Sequence, residues 1–419
     1  MTETPAPAAD ISPAVSHRAT WLPIAAALAA AGFCLRPAIT AMGAALEFVP
    51  ADIGPTVLGW VVTIPLWCYA IGGLAAPRPA ARIGAERAVI GALAVMVAGQ
   101  LLRVLGGAWA LLTGTTITAL ATAVVSTLLP VLAARPGPGV ARMTAVYAPA
   151  IGIGSAAGAF LTAPVSAVSS WRWGLGLWAP VTGLALVLWL YAFRRSGPAD
   201  TERPPGAETT GPGPLDPVPW RTVLRSRLSW SLAVMFAAWA VTAFAVMSLL
   251  PSIYYDAGID RARAGLLLGV AAAVGIPIAA VLPGLLRRTH RGPLRDGPLL
   301  LATAAPAAGL FGLLWSPADA AWLWAACVGA GLGTLSLLLA LVPLKAPDRG
   351  TAIALSATAQ GVGYALAGLG VATLSTLHVR TGDWQAVLWL LLAMFPVQVV
   401  AGMLAARSGV RAPRPATTP

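Results

Sequence analysis

Twelve long apolar stretches, separated by shorter polar connections, constrain the fold of this chain more than any other feature of its sequence. Most of them reach the roughly 20 residues that a membrane-spanning helix needs. With 58% hydrophobic and 10% charged residues and a mean hydropathy of +0.78, the composition is not that of a soluble domain. We therefore predict an all-α integral membrane protein with twelve transmembrane helices, at 20–49, 56–76, 87–106, 109–132, 141–167, 172–193, 228–253, 263–286, 298–315, 320–344, 351–377 and 384–406.

One long polar segment, 194–227, falls after the sixth stretch and is rich in proline and glycine. Such a composition predicts a flexible linker. The linker divides the chain into two six-helix halves, 20–193 and 228–406. The tails are 1–19 and 407–419, and the first apolar run is too long for the core of a cleavable signal peptide.

The distribution of basic residues predicts the orientation. With the N-terminus inside, the inner segments hold 21 Lys and Arg residues and the outer loops hold 4. Because basic residues favour cytoplasmic loops, we expect both tails and the linker to be cytoplasmic, in the plasma membrane of a prokaryote. The net charge of +12 lies in these short loops and forms no patch on a soluble face, so we expect no nucleic-acid partner.

The first stretch contains a charge near its middle, Arg36, followed at once by Pro37. At ~1.5 Å per residue, the side chain lies too deep to reach either membrane surface. Proline lacks an N–H and its ring clashes with the carbonyl of Phe33, so the helix is expected to kink beside the charge. A mid-membrane cation at a proline break indicates a site for an anion.

The neighbours of Arg36 support this interpretation. Gly32, Thr40 and Gly43 follow helical spacing from Arg36 and predict a small, polar face. An alternative stays open, in which Arg36 bonds backbone carbonyls and only holds helices together. Arg103 is the second basic residue inside an apolar stretch, and it lies near the end of its helix.

Carboxylates are missing from the middle of every stretch. Glu47 and Asp256 lie at helix ends, among 15 Asp and Glu residues in all. A proton-driven cation transporter usually needs a buried carboxylate, whereas the buried charge here is positive. The pattern favours an anionic or strongly dipolar small molecule as the transported solute.

Several strings resemble the cyanate transporter-like branch of the major facilitator superfamily, called CynX/NimT. They are LRPAITAMG in the first stretch, GQLLR at the end of the third and LSATAQGVGYALAGLG in the eleventh. The resemblance covers nearly all twelve stretches. It implies the major facilitator fold, in which two six-helix halves rock about a central site.

The chain also departs from the family pattern. Ala81 stands where the superfamily has an aspartate in the loop after the second helix. Ser126 and Thr127 replace an asparagine that the branch carries in the fourth helix. The fold expectation is unaffected by these changes, but cyanate itself is not the expected solute.

We predict a secondary transporter that moves a small anionic or polar solute, cyanate-like or another small organic anion, by alternating access. Arg36 supplies charge and forked donors. The other predicted substrate-binding residues are Thr40, Tyr147, Gln360, Tyr364 and Arg103. Packing is an equal alternative for Tyr147, Gln360 and Tyr364.

Other functions stay open. The same fold could export drug-like compounds, and a receptor or membrane enzyme is a more distant alternative. We find no cluster of catalytic residues or metal ligands, and we expect no cofactor. The expected partners are the solute and the lipid bilayer, with proton coupling left open, and the expected state is a monomer.

Overall fold

The computed structural model describes residues 14–133, 140–196, 226–289, 296–346 and 349–408. Every regular element in these ranges is a helix. Much of the predicted linker, together with the start of the N-terminal tail and most of the C-terminal tail, lies outside the described residues.

The described part of the first half contains nine α-helices and two short 3-10 helices, Leu46–Phe48 and Ala51–Ile53. The α-helices are α1 (Ala14–Cys34), α2 (Pro37–Ala45), α3 (Pro55–Ala75), α4 (Pro77–Ile83), α5 (Ala85–Leu105), α6 (Ala108–Ala133), α7 (Val140–Val168), α8 (Trp171–Gly176) and α9 (Trp178–Ser196).

The described part of the second half contains seven α-helices. They are α10 (Arg227–Asp256), α11 (Arg261–Thr289), α12 (Gly297–Trp315), α13 (Ala321–Ala330), α14 (Leu335–Lys345), α15 (Arg349–Thr381) and α16 (Gln385–Arg407).

Twelve spans in the described ranges are long and apolar enough to cross a membrane, as the sequence predicted. Three of them are interrupted. The first breaks between α1 and α2, the sixth between α8 and α9, and the tenth at a 3-10 turn, Gly331–Thr334. The interruption at Pro37 is the one that the sequence predicted. The short ninth stretch forms a regular helix through Pro306.

The two halves pack against each other along helix pairs that include α2 with α10, α7 with α11, and α3 with α15. Glycines allow close approach at these contacts. A Cβ on Gly43 would overlap the carbonyl of Met247, and one on Gly265 would overlap the side chain of Ala163. The Glu47 carboxylate accepts a short hydrogen bond from the Ser252 hydroxyl across the same interface. We call this end of the bundle the Glu47 end.

Six of the seven exposed tryptophans in the described ranges lie at the Glu47 end of the outer surface, and the seventh, Trp230, lies at the opposite end, near the start of α10. Each of the six lies within a few residues of a helix terminus at that end and is 47–79% exposed: Trp60, Trp109, Trp173, Trp315, Trp322 and Trp389. Tryptophan is enriched where a membrane meets water, because its ring is apolar and its N–H is polar. The ring of tryptophans therefore fits a membrane interface at this level.

Candidate functional site

The break between α1 and α2 positions Arg36. Pro37 occupies the first turn of α2, where a missing N–H is tolerated, and Arg36 precedes it as the N-cap with φ −98° and ψ −29°. The carbonyl of Arg36 accepts from the N–H groups of Ile39 and Thr40, at 3.0 and 3.1 Å. The backbone is thus anchored to α2 while the side chain leaves the helix at the break.

The Arg36 side chain contacts the other half of the protein. Its guanidinium carbon lies 5.9 Å from the ring centroid of Phe244 in α10, a cation–π contact. The guanidinium also interacts electrostatically with the hydroxyl of Tyr364 in α15. Arg36 is partly exposed, so the charge remains open on one side.

Four aromatic rings, the aromatic cluster, surround this position. Tyr69 from α3 stacks on Tyr364 with centroids 5.4 Å apart. Phe236 and Phe244 from α10 meet Tyr364 edge-on at 5.0 and 5.8 Å. Both tyrosine hydroxyls interact electrostatically with Arg36. The aromatic cluster therefore joins residues of both halves around one cation.

This arrangement suits a planar anion or dipole. A guanidinium presents parallel N–H donors that match a pair of oxygens, and it stacks on aromatic faces. Two ion pairs involving carboxylates occur in the described part of the chain, Asp256 with His378 and Asp296 with Arg407. Neither involves Arg36, so its charge is free to meet that of a ligand.

Thr40 is placed differently from the prediction. Its side chain is fully buried, and its hydroxyl donates to the Arg36 carbonyl at 3.2 Å. It packs against Gly158 of α7, where an added Cβ would overlap the hydroxyl. Thr40 thus supports the helix break and does not reach the guanidinium.

Tyr147 and Gln360 lie in different surroundings. Tyr147 belongs to the apolar core of the first half, with Leu28 and Met143. Gln360 lies one turn before Tyr364 and donates to the hydroxyl of Ser356 at 2.9 Å. It lines a small pocket with Phe236, next to the aromatic cluster.

Arg103 is not brought together with Arg36. It is 0% exposed, and Nη2 donates to the carbonyl oxygen of Leu175 at 3.1 Å, at the end of α8. Its backbone packs closely against Gly114 of α6. The sequence grouped six residues. In the structure Arg36, Tyr364 and Gln360 lie in one region, Thr40 and Tyr147 pack in helix contacts and core, and Arg103 lies apart.

Sequence reasoning missed Tyr69, Phe236 and Phe244. Aromatic residues in apolar spans have the same pattern whether they fill a core or line a site. Tyr69 carried the one available signal, a hydroxyl in the middle of a predicted membrane helix.

Comparison with known proteins identifies the fold family. The sequence profile of the family described as Major Facilitator Superfamily matches residues 22–368. The chain belongs to this superfamily. It is an integral multi-pass membrane protein, and its twelve spans and interrupted first helix are described above.

Curated relatives of this superfamily member are transporters. The chain is 32% identical over 349 residues to the 2-nitroimidazole transporter of Escherichia coli strain K12, covering 80% of this chain and 84% of that protein. Over 103 residues it is 40% identical to a putative anionic 4-hydroxy-benzoate permease of Thauera aromatica, covering 24% of this chain and 62% of that protein.

Solved structures share the fold at low identity. A POT family transporter in complex with 5-aminolevulinic acid has a TM-score of 0.71 at 13% identity, covering 91% of this chain and 96% of that one. A D-xylose-proton symporter has a TM-score of 0.67 at 13% identity, covering 92% and 97%. The family and the named relatives indicate a transporter of small solutes.

Proposed function

We propose that this protein is a secondary transporter that moves a small planar anionic or polar solute across the plasma membrane of a prokaryote. The observation that carries the proposal is the position of Arg36. Its guanidinium lies at a helix break in one half and contacts Phe244 and Tyr364 of the other half. A solute bound there would touch both halves of the protein.

The names of the relatives support a narrower substrate class. One transports 2-nitroimidazole, and another is named as an anionic 4-hydroxy-benzoate permease. Both compounds are planar rings that carry a pair of oxygens on one atom. We propose the same class here, with the oxygen pair on Arg36 and the ring between side chains of the aromatic cluster.

Contacts across the halves support a mechanism of alternating access. A ligand shifts a conformational equilibrium only by its difference in affinity for the two states. When the halves separate, Arg36 leaves Phe244 and Tyr364, and the solute loses one wall of its site. Binding therefore favours the arrangement in which the halves meet around it.

The finer points are part of the same proposal. We place the protein in the CynX/NimT branch, with a non-enzymatic role, no cofactor, a monomeric state, and both termini and the 194–227 linker in the cytoplasm. The direction of transport and coupling to protons stay open. Export of larger aromatic compounds is the second candidate, because the aromatic cluster also offers ring surfaces to an uncharged molecule.

Substitution of Arg36 tests the proposal. In purified protein, 2-nitroimidazole, 4-hydroxybenzoate and cyanate serve as probes, and binding is measured by calorimetry. Arg36→Ala removes hydrogen bonds to a charged group and should weaken binding of the preferred probe by about a hundredfold. Arg36→Lys keeps the charge but loses the planar fork, and about a tenfold loss is expected.

The matched control is Arg172→Ala, which changes an exposed arginine of α8 and should leave binding unchanged. Proteoliposome uptake of the bound probe extends the test to transport. A folded Arg36→Ala protein that binds and transports the probe as the wild type does would contradict the anion site. Transport of uncharged aromatic compounds by that variant would favour the second candidate.

A further inference from the structure

A second buried cation lies inside the first half, at Arg103. Its side chain is 0% exposed, and one of its three nitrogens, Nη2, donates to the Leu175 carbonyl. The N–H groups of Nε and Nη1 have no hydrogen-bond partner in the described part of the chain. Because a guanidinium stays protonated in proteins, this position holds a permanent positive charge.

The packing of α5 on α6 places other unpartnered polar groups beside Arg103. Gly99 lies against Thr118, and Gly114 lies against the backbone of Arg103, so the two antiparallel helices are in register at these pairs. That register puts Thr115 level with Arg103, and it puts Gln100 and Thr118 one turn deeper.

These four residues, Gln100, Arg103, Thr115 and Thr118, form the Arg103 cluster. All are at least 97% buried. Both amide atoms of Gln100 and both threonine hydroxyls lack a hydrogen-bond partner among the described residues. Six side-chain groups of the Arg103 cluster thus lack a partner in the described part of the chain: two nitrogens of Arg103, the two amide atoms of Gln100 and the two threonine hydroxyls.

Such a cluster is unfavourable without a ligand. Burying a charge in an apolar region costs several kcal/mol unless it is paired, and each unpartnered polar group adds to that. Asp256 and Asp296 form the two carboxylate–cation pairs found in the described ranges, and neither pair involves Arg103. The available groups are mainly donors: the guanidinium, an amide and two hydroxyls.

We propose that the Arg103 cluster binds a small monovalent inorganic anion of the halide class. An anion accepts from several donors at once and balances the guanidinium. The close backbone contacts at Gly99 and Gly114 hold α5 and α6 together, which favours a small ion over an organic solute. This site is separate from the proposed solute site, because the contacts of Arg103 are with α6 and α8 and those of Arg36 are with α10 and α15.

The surroundings also explain how an anion would be attracted and what it would stabilise. Arg172 is exposed near the α5–α6 connection and donates to the Gly106 carbonyl at 3.4 Å, which adds positive potential at the same end. Arg103 itself holds the end of α8, where the sixth span breaks. An anion bound to Arg103 would therefore stabilise the contact of α5, α6 and α8.

The test compares melting temperatures of detergent-purified protein in sodium chloride and in sodium gluconate at equal ionic strength. Chloride should raise the melting temperature of the wild type by about 2 °C, since a ligand that binds only the folded state stabilises it. Arg103→Met should lose this difference. Arg380→Met, at an exposed arginine, and Arg36→Met should both retain it.

A second set of measurements applies if Arg103→Met does not fold. Gln100→Met and Thr118→Val should shift the chloride dependence to higher concentration. Crystals soaked in bromide should show an anomalous peak beside Arg103 Nε. No chloride effect in the wild type, a full effect in Arg103→Met, loss of the effect in Arg36→Met, or only water at the peak position would overturn the proposal.

Discussion

At the scale of single residues, the site depends on how Arg36 is held. Among the described residues, the guanidinium contacts the hydroxyl of Tyr364 and the ring face of Phe244, and neither carboxylate ion pair found there includes it. A carboxylate partner would neutralise the charge and compete with an anionic solute. A tyrosine hydroxyl orients the guanidinium but leaves its charge, so binding of an anion remains favourable.

The hydroxyl of Tyr364 can be tested alone. Tyr364→Phe keeps the ring that stacks on Tyr69 and removes the hydroxyl that interacts with Arg36. Because the hydroxyl orients the guanidinium toward the solute, we expect solute affinity to fall about tenfold, while the melting temperature falls by no more than the few degrees expected from loss of one polar contact. Calorimetry with the preferred probe measures the affinity.

The control is Tyr191→Phe, which alters a tyrosine of α9 that is 46% exposed. It should bind the probe as the wild type does. Equal affinity in the wild type and Tyr364→Phe would mean that Tyr364 only packs, which is the alternative that the sequence left open.

The residue scale also shows where sequence reasoning stops. The depth of Arg36 and the following proline predicted its environment, because both act locally. Helical spacing placed Thr40 on the same face, but its hydroxyl bonds the Arg36 carbonyl and packs on α7. The partners Tyr69 and Phe244 come from distant spans, and nothing local selects them from the other aromatic residues.

At the scale of elements, glycine decides how closely helices of the two halves approach. Gly43 of α2 lies against the backbone of Met247 in α10, with no room for a methyl group. Gly91 of α5 has nothing within 4 Å of an added Cβ. The two positions provide the same substitution in opposite surroundings.

We expect Gly43→Ala to push α2 away from α10. Overpacking of this kind typically destabilises by about 1–3 kcal/mol, so the melting temperature and the uptake rate should both fall. Gly91→Ala should be neutral or stabilising by up to about 1 kcal/mol, because alanine is the better helix former. Identical behaviour of the two variants would show that the α2–α10 contact is not needed.

The elements themselves were largely predictable, and the breaks were only partly so. Long apolar runs specify membrane helices by length alone. The break at Pro37 has a local cause. At the break after α8, the Arg103 side chain from α5 bonds the carbonyl of Leu175, a contact that the sequence does not specify. In the tenth span, Gly329 and Gly333 pack on the backbone of α11, a contact that the sequence does not specify.

At the scale of the whole molecule, the two ends of the bundle differ in chemistry. The Glu47 end carries exposed tryptophans and the inter-half contact between Glu47 and Ser252. The opposite end carries the connections to which the sequence assigns 21 basic residues, against 4 at the Glu47 end. Basic residues favour the cytoplasmic side, so we expect the Glu47 end to face outward.

Cysteine labelling in whole cells checks this orientation. Cys34, Cys68 and Cys327 are first replaced by serine or alanine. Ala318→Cys then places a thiol at an exposed position between α12 and α13, at the Glu47 end, and Thr209→Cys places one in the 194–227 linker. A membrane-impermeant maleimide should label position 318 in intact cells and position 209 only after the membrane is permeabilised. The reversed pattern would invert the orientation and place the linker outside. Labelling of both positions in intact cells would also contradict the prediction. The number of spans and the charge asymmetry place positions 318 and 209 on opposite sides of the membrane.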